Sequence, residues 1–367
     1  MDAVRSPEHL ELSLKTAQES LVLLKNAANF LPLKQDSVHS IAVIGPAGDQ
    51  NYETGNYYGT PTRKIGPLQG LKQLLGPQVS VSYEQGSGFI DAADTAAIAR
   101  AVELARKSDV ALLFLGTNLQ VEAEGRDRRD LNLPGAQQQL MEAVFAANPH
   151  TILVLMSAGP VAVGWAHDRL PAIMQAWYPG ELGGTAIARA LFGLDNPGGH
   201  LPYTMYASLD GVPGQNEYDV SKGYTYQYFK GVPLYPFGHG LSYTRFKYSK
   251  LTVSAASVPA SGQVQIAFDV TNVGDQAGSD VAQLYSHQIK SRTYQPIRTL
   301  RAFKRVALDP GQSTRISFAL PASELSYYDL RAAKFVVEPG DFDLLVGSSS
   351  DDIRLRSRLQ VSNGLKK

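Results

Sequence analysis

The sequence predicts two fold classes in tandem, an α/β domain followed by an all-β sandwich, and three observations predict them. Between Ser40 and Phe192, apolar runs of strand length alternate with helical patterns, as in a parallel or mixed sheet with helices on both faces. Beyond Phe246 the texture changes to short segments of period-two alternation divided by turn signals, which reads as a β-sandwich. Between them, Tyr206 to Tyr243 is dense in Pro, Gly and aromatic residues, against regular structure. The expected division is an α/β domain over 1–205, an irregular aromatic connection over 206–245 and a β-sandwich over 246–361. A chain of 367 residues suits two domains of ~100–200 residues each.

In chain order, Leu10, Leu14, Ala17, Leu21 and Leu24 recur at steps of four and three, one face of a helix. Ser6 as N-cap and Pro7 at the first helical position start it. Strands are predicted at Ser40–Gly45, Val79–Tyr83, Val110–Leu115, Thr151–Met156 and Ala172–Trp177, and helices at Ala92–Lys107, Gln137–Ala147 and Gly184–Phe192. The sandwich segments are Tyr248–Val253, Gln263–Val270, Asp280–Ser286, Arg298–Val306, Thr314–Leu320 and Asp341–Val346. Arg354, Arg356 and Arg358 alternate with apolar or small residues, the solvated face of a last strand.

Composition narrows the function. Lys plus Arg and Asp plus Glu both total 34, so there is no electrostatic case for nucleic acid or an acidic membrane. Cysteine is absent, which excludes disulfides and thiolate chemistry. No apolar run is long enough for a helix to cross a bilayer, and Met1-Asp-Ala-Val-Arg-Ser-Pro-Glu8 lacks a signal's apolar region. The turn after Ile44 lacks the Gly-x-Gly-x-x-Gly spacing, and Pro46 removes an amide that would bind phosphate. Ser157 lacks the flanks of a nucleophile elbow, and the seven His show no metal-ligand spacing. No metal or organic cofactor is expected.

One stretch concentrates charge. The strand Val110–Leu115 feeds a loop in which Glu122, Glu124, Arg126, Asp127, Arg128, Arg129 and Asp130 fall within a few residues. Loops at the C-terminal ends of strands are where open α/β sheets place their chemistry. Composition alone favours a solvated, ion-paired turn with Asp130 capping the next helix. Asn51–Pro61 is rich in Tyr, Asn and Gly, groups that stack on and hydrogen-bond to sugars or that serve as packing lids. Trp177-Tyr-Pro-Gly180 is a second aromatic turn.

Gly116-Thr-Asn, Val121-Glu-Ala-Glu-Gly-Arg-Asp-Arg128 and Leu131-Asn-Leu-Pro-Gly-Ala-Gln-Gln-Gln-Leu140 resemble the acid/base loop of glycoside hydrolase family 3, of the β-xylosidase and β-glucosidase type. Ala176-Trp-Tyr-Pro-Gly180, Leu191-Phe-Gly-x-x-Asn-Pro-Gly-Gly199 and Leu234-Tyr-Pro-Phe-Gly-His-Gly-Leu-Ser-Tyr-Thr244 are similar to later family motifs. Val270-Thr-Asn-Val-Gly274 and Leu300-Arg-Ala-Phe-Lys-Arg-Val306 resemble its fibronectin type III-like domain. The likeness implies a six-stranded α/β sandwich, of which five strands are read above, followed by a fibronectin type III-like sandwich. It implies Glu124 as general acid/base, with Glu122 as rival. Asn56, Tyr57 and Tyr58 would face the barrel side, Trp177 and Tyr178 would line a substrate rim, and Arg126, Asp127 and Arg128 would orient the loop. His200 stands where relatives usually carry Arg or Lys. Tyr224 and Gln227 replace the arginines of the family's Arg-Thr-Tyr-Arg-Tyr-Phe segment.

The family's nucleophile is an Asp on an N-terminal barrel, and this chain is expected to begin where that barrel ends. Neither Ser108-Asp109-Val110 nor Ser279-Asp280-Val281 has the nucleophile's flanks. The resemblance therefore implies a partner barrel, β-linked xylosides or glucosides as substrates, and inactivity of the chain alone. Full-length relatives are often periplasmic or secreted. The rival classes are a sugar-binding module and a structural fragment.

Overall fold

The computed structural model describes residues 5–49, 52, 53, 55, 61 and 63–362. Helix α1, Pro7–Ser20, opens as expected, with the Ser6 side chain accepting from the His9 amide. It stops before Leu21. The run that follows is strand β1, Val22–Asn26, not a further helical turn. The reason is two-sided burial. Val22 and Leu24 enter one core while Leu23 enters the other, and only a strand sends successive side chains to opposite faces. This is the sixth strand of the sheet.

The α/β part continues with β2 (Ser40–Ile44), α2 (Pro67–Leu75), β3 (Ser80–Glu84), α3 (Thr95–Arg106), β4 (Val110–Gly116), α4 (Gln137–Ala147), β5 (Thr151–Met156), α5 (Gly164–Arg169), β6 (Ala172–Gln175) and α6 (Gly183–Leu191). The strands lie in the order β1-β6-β5-β4-β2-β3, with β1 antiparallel to β6 and the other pairs parallel. Side chains of α1, α2 and α6 share one buried cluster with Val43, Leu112 and Phe114. Side chains of α3, α4 and α5 share the other with Ile44, Leu113 and Leu115. The sheet is thus covered on both faces, which explains why its central strands read as unbroken apolar runs. Strand order reverses between β2 and β4, and the C-terminal ends of β4, β5 and β6 open on the same edge.

The connection contributes the short helix α7, Thr225–Tyr228. The sandwich follows: β7 (Phe246–Val253), β8 (Ser257–Pro259), β9 (Gln263–Asn272), β10 (Gly278–Gln288), β11 (Thr299–Leu308), β12 (Ser313–Pro321), the hairpin β13 (Tyr327–Asp329) and β14 (Lys334–Val336), then β15 (Gly340–Gly347) and β16 (Ile353–Ser362). Sheets β11-β10-β15-β16-β8 and β12-β9-β7 close on a core that includes Phe268, Leu284, Phe318 and Leu344. The last strand departs from a purely solvated arginine face. Arg354 stacks on the Tyr248 ring, 4.6 Å from its centroid, and holds Asp352 at 2.7 Å.

Aromatic side chains of the connection join the two parts. Tyr226 stacks on Phe237 (centroids 4.3 Å apart) and meets Tyr285 of β10 edge-on at 5.9 Å. His239 Nε2 lies 2.9 Å from the Leu24 carbonyl. His200 keeps an acidic neighbour, with Nε2 3.2 Å from Asp280 Oδ1, although the contact is not aligned as a hydrogen bond.

Candidate active site

The Gly116–Gly135 loop leaves the central strand β4 and is pinned at both ends. Gly116 has φ +150°, and a Cβ there would sit 2.1 Å from the Met156 carbonyl oxygen of β5. That closeness demands glycine. Its amide and carbonyl are both held by the buried Gln137 side chain, at 2.8 Å each. Gln137 opens α4 on the helix face that also carries Leu140 and Met141, so one polar residue on an apolar face was the sequence signal for this clamp. Asp130 does not cap that helix. It accepts from the Asn132 amide in a local turn, while the N-cap of α4 is Ala136.

Glu122 sits at the base of the loop as a shared acceptor. Its Oε1 takes the Thr117 hydroxyl and the amides of Ala158 (2.9 Å) and Gly159 (3.3 Å). The Tyr178 hydroxyl lies 3.3 Å from that oxygen and 3.1 Å from Thr117 Oγ1, so its single proton is shared between them. Glu122 Oε2 pairs with Arg128 Nε at 2.9 Å, both side chains being more than four-fifths shielded. Arg128 also donates to the Pro160 carbonyl. Burial, reinforced by the Glu122 charge, pushes the Tyr178 hydroxyl well above its ordinary pKa, so it stays a proton donor. Thr117, Ala158 and Gly159, and Tyr178 come from the ends of β4, β5 and β6, three adjacent parallel strands. Sequence reasoning assigned no role to Thr117 or the two amides, because backbone amides carry no side-chain signature.

Glu124 lies at the tip. Ala123 and Arg126 exchange amide-to-carbonyl bonds of 3.2 and 2.9 Å across Glu124-Gly125. Gly125 has φ +73°, and Glu124 is not in the left-handed region, the pattern of a type II turn. Glu124 is exposed, and its carboxylate makes no hydrogen bond or ion pair among the described residues. Arg126 holds the turn by donating to the carbonyls of Leu119 (2.9 Å) and Gln120 (3.2 Å). Asp127 is exposed beside it.

Both carboxylates line one cleft of about 960 Å3. Tyr178 and Ala158 also line it, as do Leu209, Val212, Pro213 and Tyr224 of the connection. Tyr224 is fixed by donating to the Gly214 carbonyl at 2.7 Å. Its place in the cleft was not legible, since the connection has no periodicity to orient it. Trp177 turns away from the cleft. Its indole N–H donates to the Ser20 carbonyl at 2.8 Å, and its ring meets Tyr203 edge-on at 5.6 Å. Asn56, Tyr57 and Tyr58 lie outside the described residues, although the preceding Gly55 lines the cleft. Tyr52, nearby, donates to the Gly180 carbonyl at 2.9 Å.

The glycosyl hydrolase family 3 C-terminal domain matches residues 21–243, and a fibronectin type III-like domain matches residues 280–350. The chain belongs to glycosyl hydrolase family 3. A β-xylosidase of Formosa agariphila is 34% identical over 95% of this chain and 50% of its own length. The thermostable β-glucosidase B of Acetivibrio thermocellus is 35% identical over 98% and 49%. Among solved structures, the Bifidobacterium adolescentis family 3 β-glucosidase superposes with a TM-score of 0.89 at 30% identity, covering 98% of this chain and 55% of that one. An Erythrobacter marinus β-glucosidase gives 0.88 at 34%, covering 98% and 51%. The chain therefore spans about half the length of these family 3 relatives.

Proposed function

We propose that this chain is the acid/base-bearing part of a retaining, exo-acting β-glycosidase for β-linked xylose or glucose, with Glu124 as the general acid/base. The observation that carries the reading is the contrast between two neighbouring carboxylates. Glu122 is consumed by five donors, whereas Glu124 stands unengaged among the described residues at the tip of a braced turn in the same cleft. A proton donor must reach its substrate, and of the two only Glu124 is free to do so. The relatives' names, β-xylosidase and β-glucosidase, supply the substrate class.

In the assembled enzyme, Glu124 would give its proton to the glycosidic oxygen as that C–O bond breaks. A nucleophilic carboxylate from the family's barrel domain would bond to the anomeric carbon, ~5–5.5 Å across from the acid. Glu124 would then take a proton from water, whose oxygen replaces the nucleophile on the sugar. Glu122, Arg128 and Thr117 position the loop and do not react. The chain by itself would be inactive.

Hydrolysis of nitrophenyl β-xyloside and β-glucoside, by the chain alone and mixed with a family 3 barrel domain, tests this. The expected result is activity in the mixture only, abolished in Glu124→Gln. Turnover by the chain alone would overturn the divided active site. Silence in both, with sugar binding that survives Glu124→Gln, would instead identify a binding module.

A further inference from the structure

We propose that a second pocket, between the aromatic connection and the sandwich, is a saccharide-binding site separate from the acid/base cleft. It has a volume of about 630 Å3 and shares no lining residue with that cleft. Small-ligand sites commonly span ~300–1,000 Å3. Four segments build it: α7, the loop between β10 and β11, the start of β11 at Thr299 and Arg301, and β13 with the turn that follows it.

The lining combines open aromatic faces with unused hydrogen-bonding groups. Tyr228 and Tyr294 form one wall, with ring centroids 5.4 Å apart at 44°. Tyr294 is 57% exposed and Tyr328 51%. The Lys230 ammonium lies 5.6 Å from the Tyr294 centroid and Phe335 meets the Tyr328 ring edge-on at 5.4 Å, and the remaining ring surface is what a ligand would meet. The Tyr327 hydroxyl is buried without an aligned hydrogen bond among the described residues, and the Arg292 guanidinium is its charged neighbour. The Gln227 side-chain amide likewise has no partner among the described residues. Arg301 is held by the Ser286 hydroxyl at 2.7 Å and by the Glu324 carbonyl, and no carboxylate pairs with it among the described residues.

A pyranose matches this set. Its C–H face stacks on tyrosine rings, and its hydroxyls both donate and accept, which satisfies a phenol, an amide and a guanidinium together. A phosphate would need a cluster of uncommitted cations. Here Arg292 is already paired with Glu338 at 2.9 Å, and the acidic Asp329 lines the pocket alongside Arg301 and Arg331, so the lining is not a cluster of cations alone. The saccharide class rests on the pocket itself; the choice of xylose and glucose oligomers rests on the glycosidase reading above.

Calorimetric titration of the purified chain with xylotetraose and cellotetraose tests the site. The expected result is saturable binding that weakens roughly three- to tenfold in Tyr294→Ala, the scale of one lost aromatic contact, and that persists in Glu124→Gln and Tyr224→Ala. Tyr328→Ala, also at an exposed position, should weaken it too. Absence of saturable binding by either sugar would overturn the proposal, as would binding lost only in the cleft variants. If Tyr294→Ala weakens association with a barrel domain and leaves the sugar titration unchanged, the pocket is a protein interface and the proposal falls. Binding is read without hydrolysis, so its failure and that of the glycosidase reading are separable.

Discussion

At the base of the loop that leaves β4, Glu122 is shielded and accepts from groups on three strand ends. Two residues on, Glu124 shares the residue type but projects from a turn braced, among the described residues, by backbone bonds and Arg126. Glycine serves both places for different reasons. Gly116 lets β4 approach β5, whereas Gly125 supplies a positive φ in open space. The contrast sets, within one short segment, a rigid mount beside a carboxylate with no partner among the described residues. Networks of satisfied polar groups rigidify a site, and a reactive carboxylate benefits from being held by its backbone rather than through its own oxygens.

The comparison can be broken most directly at the tip. Glu124→Gln should lower hydrolysis by the assembled enzyme by about 10²–10⁴-fold, the usual contribution of a general acid/base, with the unfolding midpoint unchanged. A comparable loss of folding stability would show that the tip is not free.

At the base the expected effect is on stability. Glu122→Ala strands Arg128, and removing one member of a shielded pair costs about 3 kcal/mol. Urea unfolding measures it, and a near-neutral result would refute the mount.

A smaller loss, about 1 kcal/mol, is expected for Gly125→Ala, because alanine at φ +73° is strained even with no atom nearby. Amide exchange at Ala123 and Arg126 should quicken with it.

Tyr178→Phe removes one shared donor and should cost about 1 kcal/mol or less, since four others remain on Glu122. It carries a pH signature. Burial raises this hydroxyl's pKa in the folded chain, so its contribution is fully present below the unfolded tyrosine value of about 10 and is lost as pH rises above it. The decline of stability above pH 10 should be shallower in Tyr178→Phe than in the unmodified chain. Identical slopes would mean that Tyr178 is not shielded.

Much of the fold was legible because burial leaves periodic traces. The strands that became β2 to β6 and the alternating segments of the sandwich stood out as apolar runs between turns. β1 did not, because Leu21 and Leu24 continue the helical stripe of α1 by coincidence of spacing, and the pairing of Val22 with Gln175 and Leu23 with Met174 decides the matter from a strand far along the chain. Arg354 is exposed on its strand as the alternation predicts, but its stacking on Tyr248 depends on a neighbour that the pattern does not reveal.

By itself, the sequence determined the succession of α/β and all-β architecture, the placement of a charge-rich loop after a buried strand, and the family likeness carried by its motifs. These are local properties, written in spacing and residue type. Tertiary structure alone decided which carboxylate is engaged and which has no partner among the described residues, that Thr117, the Ala158 and Gly159 amides and Tyr178 converge on Glu122, and that Tyr224 of the connection lines the cleft. Those outcomes depend on strand order and on distances between segments remote in the chain, and neither is encoded in local periodicity.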